Sequence, residues 1–335
     1  MLPRSKWVRG IWLLLPLALF FAARQKVSWR PQKIMDLPFG VPEFVIISPD
    51  ERFVANFRYD PTSKTSEVEL PLLVRDLQNG REIKVRGFHT GTQIAAFDKE
   101  AQRIAFGWRE IDDNENTKKL GVSVLSLNDK LRDFEIPKGA DSWDYPTQLR
   151  FSPDGKTLWM ASSDNLRSWD IATGKLKGQW SKEGEEIEVG DQSLPFNSAI
   201  SEGCRYYFRA DSHFGYSVWD IAKNKRLLRT KLPELSELTF SPDAELMVSV
   251  KRNVSVIDSK MGRVLWQSSA GTQLTLSNKL AIVKNENRFE VREARTGKLL
   301  RWLPAEGNAR VVTSESVDWL YTVNDSNELF RQRLR

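Results

Sequence analysis

The sequence predicts an all-β fold, a seven-bladed β-propeller preceded by an N-terminal transmembrane signal-anchor helix. Three observations predict it: an apolar run between basic flanks near the start, a tight-turn motif recurring seven times after residue 31, and short alternating apolar stretches between the turns. The division is residues 1–30 for tail and anchor and residues 31–335 for the propeller, closed by the strand near 32–37. With 40% hydrophobic residues, 12 Trp and 17 Phe among 335, the chain can bury a sizeable core, which excludes disorder throughout.

The N-terminal element comes first. Residues 10–23 (GIWLLLPLALFFAA) form a 14-residue run without charge. As a helix it spans roughly 21 Å, short of a hydrocarbon core of roughly 30 Å. An uncleaved anchor over residues 7–29 makes up the length, with Arg9, Arg24 and Lys26 snorkelling and Trp7, Trp12 and Trp29 near the interfaces. Cleavage after Ala23 would place Phe21 where a small residue is wanted, a poor signal-peptidase match. A short basic tail that stays cytoplasmic makes this a single-pass membrane protein with an extracytoplasmic propeller. Residues 1–30 also hold six basic residues and no acidic one; removing those six from the 50 Lys and Arg leaves 44, equal to the 44 Asp and Glu. The remainder is therefore formally neutral, and no nucleic-acid partner is expected.

The repeats decide the fold. An apolar residue followed by Ser-Pro-Asp, or a degenerate relative, occurs at Ile47-Ser48-Pro49-Asp50, Phe97-Asp98-Lys99-Glu100, Phe151-Ser152-Pro153-Asp154-Gly155, Ile200-Ser201-Glu202-Gly203, Phe240-Ser241-Pro242-Asp243, Leu276-Ser277-Asn278-Lys279 and Val312-Thr313-Ser314-Glu315. A second element follows each copy, centred on Asp76, Ser126, Asp170, Asp220, Asp258, Glu293 and Arg331, at spacings of 50, 44, 50, 38, 35 and 38. Such spacing fits four short strands and their turns per unit. Proline and Asp-Gly set the first reversal, and Asn79-Gly80-Arg81, Thr173-Gly174-Lys175, Met261-Gly262-Arg263 and Thr296-Gly297-Lys298 mark a second.

These residues resemble the WD40 family of β-propellers, closest from Phe151 through Trp169-Asp170-Ile171 and again at Trp219-Asp220-Ile221. Gly87-Phe88-His89 loosely matches the family's Gly-His pair. The resemblance implies a rigid, non-enzymatic scaffold for protein–protein interaction. Asp258-x-x-Met261-Gly262-Arg263-x-x-Trp266 followed by Gly271 is similar to the tryptophan-docking pattern of quinoprotein-type propellers. That similarity implies the competing function, a quinone-dependent dehydrogenase, although those enzymes are longer, eight-bladed, and carry cofactor and calcium ligands not found here. A third reading is an envelope propeller that senses a small ligand in its central channel.

In WD40-type blades the Ser-Pro-Asp and Gly turns share one face of the disc. The long connections, roughly 59–66, 109–119, 139–146, 181–195 and 210–215, then lie on the opposite face in blades one to four. Long loops on a rigid scaffold are where binding residues usually sit. The candidate partner-binding residues are Asp112, Asp113, Trp143, Tyr145, Glu185, Glu186, His213, Phe214 and Tyr216, an acidic, aromatic set suited to a basic protein segment. A solvated rim is the plainer alternative. The propeller itself is expected to be monomeric.

Catalytic and metal chemistry find little support. Asp112-x-Asn114-x-Asn116 opens like a calcium loop, but Thr117 stands where the turn glycine belongs and Ser123 where the bidentate Glu belongs. Only His89, His213 and Cys204 are available for soft ligation or for a Cys-His pair, and the single cysteine excludes an intramolecular disulfide framework. No nucleophile elbow, phosphate loop or H-E-x-x-H is present. No cofactor, no metal and no catalytic residue are expected, and Cys204 reads as a buried strand residue beside Tyr206 and Phe208.

Overall fold

A computed structural model of the chain resolves into seven four-stranded antiparallel sheets. It describes residues 31–37, 45–57, 72–85, 94–111, 117–127, 130–136, 146–162, 165–181, 198–201, 203–211, 215–231, 237–241, 245–250, 253–268, 273–277, 279–285, 288–305, 309–312, 319–324 and 326–334. Blade 1 is Val45–Ile47, Phe53–Phe57, Leu72–Asp76 and Glu82–Val85; blade 2 is Ala95–Phe97, Arg103–Ile111, Thr117–Ser126 and Lys130–Glu135. Blade 3 is Pro146–Phe151, Thr157–Ser162, Asn165–Asp170 and Leu176–Ser181; blade 4 is Ser198–Ile200, Tyr206–Asp211, Gly215–Asp220 and Lys225–Lys231. Blade 5 is Glu237–Phe240, Leu246–Val250, Val254–Asp258 and Arg263–Ser268; blade 6 is Gln273–Leu276, Leu280–Asn285, Arg288–Glu293 and Leu299–Pro304. Blade 7 takes Arg310–Val311, Trp319–Val323 and Glu328–Arg333 from the C-terminal end and Gln32–Asp36 from the N-terminal end as its outermost strand. The fold is an all-β, seven-bladed propeller.

The core lies between the blades. Each sheet is apolar on both faces, and the period of two along a strand sends alternate side chains to opposite neighbours. In Thr157–Ser162, Leu158 and Met160 pack against blade 2 while Ala161 and Trp159 pack against blade 4. In Leu280–Asn285, Leu280 and Ile282 meet blade 7 and Ala281 and Val283 meet blade 5. Among the described residues there is one apolar cluster at each of the seven junctions, including the one joining Val45, Ile47 and Val54 of blade 1 to Val312, Tyr321 and Leu329 of blade 7.

Antiparallel order puts the first and third connections of every blade on one face, hereafter the tight-turn face. The second connections and the blade-to-blade links are on the other. Local chemistry explains the tight turns. The hydroxyl of Ser48 accepts the amide of Phe53 at 2.8 Å, and Ser152, Ser201, Ser241 and Ser277 accept the amides of Thr157, Tyr206, Leu246 and Leu280 in the same way. In blade 2 the carboxylate of Asp98 takes that place for Arg103 at 3.0 Å. A backbone bond then ties the two turns together in each of blades 1–6, as in Leu77 to Arg52 at 2.7 Å and Ile171 to Lys156 at 2.9 Å.

Two expectations change. Cys204 is buried but stands in the first turn of blade 4, with φ at 50°, rather than in a strand. The connections expected over 109–119 and 210–215 are shorter, because regular pairing continues through Glu110 opposite Lys119 and through Asp211 opposite Gly215. The blade 2 hairpin, with strands of nine and ten residues, consequently projects beyond its five- and six-residue neighbours by roughly 10 Å at about 3.4 Å per residue.

Candidate interaction faces

Of the residues singled out by sequence, Asp112, Asp113, Trp143, Tyr145, Glu185, Glu186, His213 and Phe214 lie outside the described residues, as do residues 1–30 and His89. Tyr216 is in the third strand of blade 4, its backbone opposite Ala210 and Thr230. In the described chain next to the others, Ile111, Pro146, Ser181, Ser198, Asp211 and Gly215 all end strands on the face opposite the tight turns.

Beneath that face, blades 3 and 4 are joined by side chains that sequence reasoning missed. Thr147 Oγ1 and Ser198 Oγ are 2.6 Å apart, Ser198 donates to the Ser162 carbonyl at 2.8 Å, and Gln148 Oε1 accepts the Ile200 amide. Trp159 and Trp180 stack beside them with ring centroids 5.3 Å apart. Small hydroxyls at the starts of two successive innermost strands were the available signal.

On the tight-turn face the described turns are cross-linked by side chains. In blade 1 the Arg52 guanidinium meets Asp76 Oδ2 at 2.8 Å, and Asp76 Oδ1 accepts the Gln78 amide at 2.8 Å. Burial alone would raise the Asp76 pKa; the Arg52 hydrogen bond and the turn amides outweigh it and hold the carboxyl below its ordinary value. Thr173 donates both its amide and its hydroxyl to Asp170, whose pKa is likewise depressed. At the ring closure Tyr321 donates its phenolic hydrogen to Glu51 at 2.8 Å, and burial together with that carboxylate raises the phenol well above its usual range.

At the blade 5–6 junction the Trp266 side chain crosses to the neighbouring blade. The Trp266 indole donates to the Ala294 carbonyl at 2.7 Å and packs on Gly297, where a β-carbon would collide with the ring. Arg292 donates to the Gly297 carbonyl at 2.7 Å with its guanidinium 5.9 Å from the same ring. Phe134 of blade 2 lies over Gly174 of blade 3 in the corresponding place, with Trp169 at 6.4 Å. Trp266 thus fastens one blade to the next. Among the described residues no group of three or more His, Cys, Asp or Glu could hold a metal ion, and no helix is long and apolar enough to cross a membrane.

No protein-family model matches the chain, and no curated protein matches it.

Proposed function

We propose that the chain is a membrane-anchored, WD40-like propeller acting as a non-enzymatic protein-interaction scaffold, its propeller on the extracytoplasmic side. The observation that carries this reading is the asymmetry of the ring. One face bears short, cross-bonded turns, whereas the longer acidic and aromatic segments, 58–71, 137–145 and 182–197, leave from strand ends on the other, the last two beside strand starts that the Thr147–Ser198 contact ties together. A rigid base lowers the entropic cost of presenting such segments to a basic partner, and charge speeds the encounter. The test is crosslinking and pull-down from membranes, comparing the unaltered chain with one in which Glu183, Glu185, Glu186 and Glu188 are changed to Lys. Loss of a specific partner is expected; unchanged capture would overturn the reading.

A second reading, a quinoprotein-like dehydrogenase, draws on the docked Trp266. Dye reduction appearing when quinone and calcium are added to the purified chain would favour it. The residues at the Trp266 contact fasten blades through backbone and indole, a structural use of the motif that needs no cofactor.

A further inference from the structure

The chain enters the ring from one particular side. Gln32–Asp36 pairs antiparallel with Glu328–Arg333, Gln32 opposite Arg331 and Asp36 opposite Glu328. Glu328–Arg333 is a third strand and runs toward the tight-turn face, so Gln32 and Pro31 lie at that face. Only Arg30 and Pro31 separate Gln32 from Trp29, the last residue of the anchor reading, and so short a linker spans at most roughly 10 Å. An anchor over 7–29 therefore holds the tight-turn face toward the bilayer.

That face carries the matching chemistry in blades 3–6. The residue after each left-handed Gly or Asn of the outer turn is an exposed cation: Lys175, Lys225, Arg263 and Lys298. Lys223 and Lys260 also stand at the turn tips, their charge partly offset by Asp220 at 3.7 Å and Glu245 at 3.4 Å. The acid that opens each turn is spent internally, Asp170 on Thr173, Asp258 on the amides of Lys260 and Met261, and Glu293 on Thr296, while Asp220 is 3% exposed. Beside the cations stand exposed apolar side chains, Leu176, Leu227, Val264 and Leu300, each within three residues of its left-handed position, and Met261 at the tip of its turn is 64% exposed. Cations outward with aliphatic groups between them are the composition that settles on anionic headgroups. We infer that the tight-turn face of blades 3–6 is a docking surface for anionic lipid headgroups, with Met261 reaching the interfacial layer. The inference rests on the anchor proposed above. It gives the disc one orientation, the acidic face turned away from the membrane.

The full chain is placed in vesicles of phosphatidylcholine, with or without phosphatidylserine, carrying a fluorophore at Met261→Cys or at Arg288→Cys on the opposite face. The unsubstituted chain, whose Cys204 is buried, supplies the background. Headgroup-quencher lipids should quench the 261 label several-fold more than the 288 label when phosphatidylserine is present. The difference should shrink in phosphatidylcholine alone or when Lys175, Lys225, Arg263 and Lys298 are changed to Glu. Equal quenching at the two positions, or no response to the four reversals, overturns the inference. Release of the chain from phosphatidylcholine vesicles by alkaline extraction overturns the anchor instead. Docking must then appear as salt-sensitive binding to phosphatidylserine vesicles that the reversals abolish, and its absence overturns the inference as well.

Discussion

Gly297 shows how much one backbone position carries. Its φ of 70° suits a residue without a β-carbon, and the Trp266 indole fills the space where that carbon would be. Gly297→Ala should cost about 2 kcal/mol, combining backbone strain with displacement of the ring, and should be read from the thermal midpoint and a shift in tryptophan emission. At Gly155, with φ of 65°, the close neighbour is the tip of the Arg103 guanidinium of blade 2, which can swing aside, so there the backbone conformation is the main reason for glycine. Glu51, Ala101 and Cys204 hold the corresponding left-handed place in other blades, and Glu51 uses its side chain to accept from Tyr321. Tyr321→Phe should lower stability by about 1 kcal/mol. Asp76 has a depressed pKa in the fold, so its contribution is complete above the ordinary carboxylate value near 3.8 and disappears as pH falls below it. Urea midpoints measured down the acid limb should therefore decline, with a shallower decline and a lower neutral-pH plateau in Asp76→Asn.

At the level of strands, the second strand of a blade packs against both neighbouring blades. Leu158 has no exposed surface and sits in the junction with blade 2; Leu158→Ala should cost about 3 kcal/mol, whereas Leu176→Ala, at the exposed rim, should leave the urea midpoint nearly unchanged. The turns were legible because Pro, Asp and Gly have few other uses at such spacing, and Trp266 was legible because its motif is spaced from Gly262. Phe134 was not, since an aromatic at a strand end looks the same whether it docks on a neighbouring turn or only fills a core. The lengths of the blade 2 and blade 4 hairpins were also misjudged. Polar residues such as Arg109, Glu110 and Lys119 look like loop until the partner strand supplies their pairing. Thr147 and Ser198 left only the trace of small hydroxyls at strand starts, because their contact depends on two blades meeting.

For the whole molecule, seven junction clusters in place of one centre mean that no blade is stable apart from its neighbours. Ring closure should accordingly govern cooperativity. Met35→Pro, which removes an amide where Met35 faces Leu329, should raise hydrogen exchange first in Gln32–Asp36 and Glu328–Arg333 and then across the clusters of blades 7 and 1. The closing strand has a mechanical consequence as well. Its axis runs between the two faces of the disc, and residue 31 is at one end. A tug on that end along the axis loads the register from Gln32 to Asp36 in shear, so its hydrogen bonds resist together rather than peeling in succession. On the anchor proposed above, the point of attachment would double as the clasp, and the circle of sheets would bear traction best in the direction from which the tether arrives.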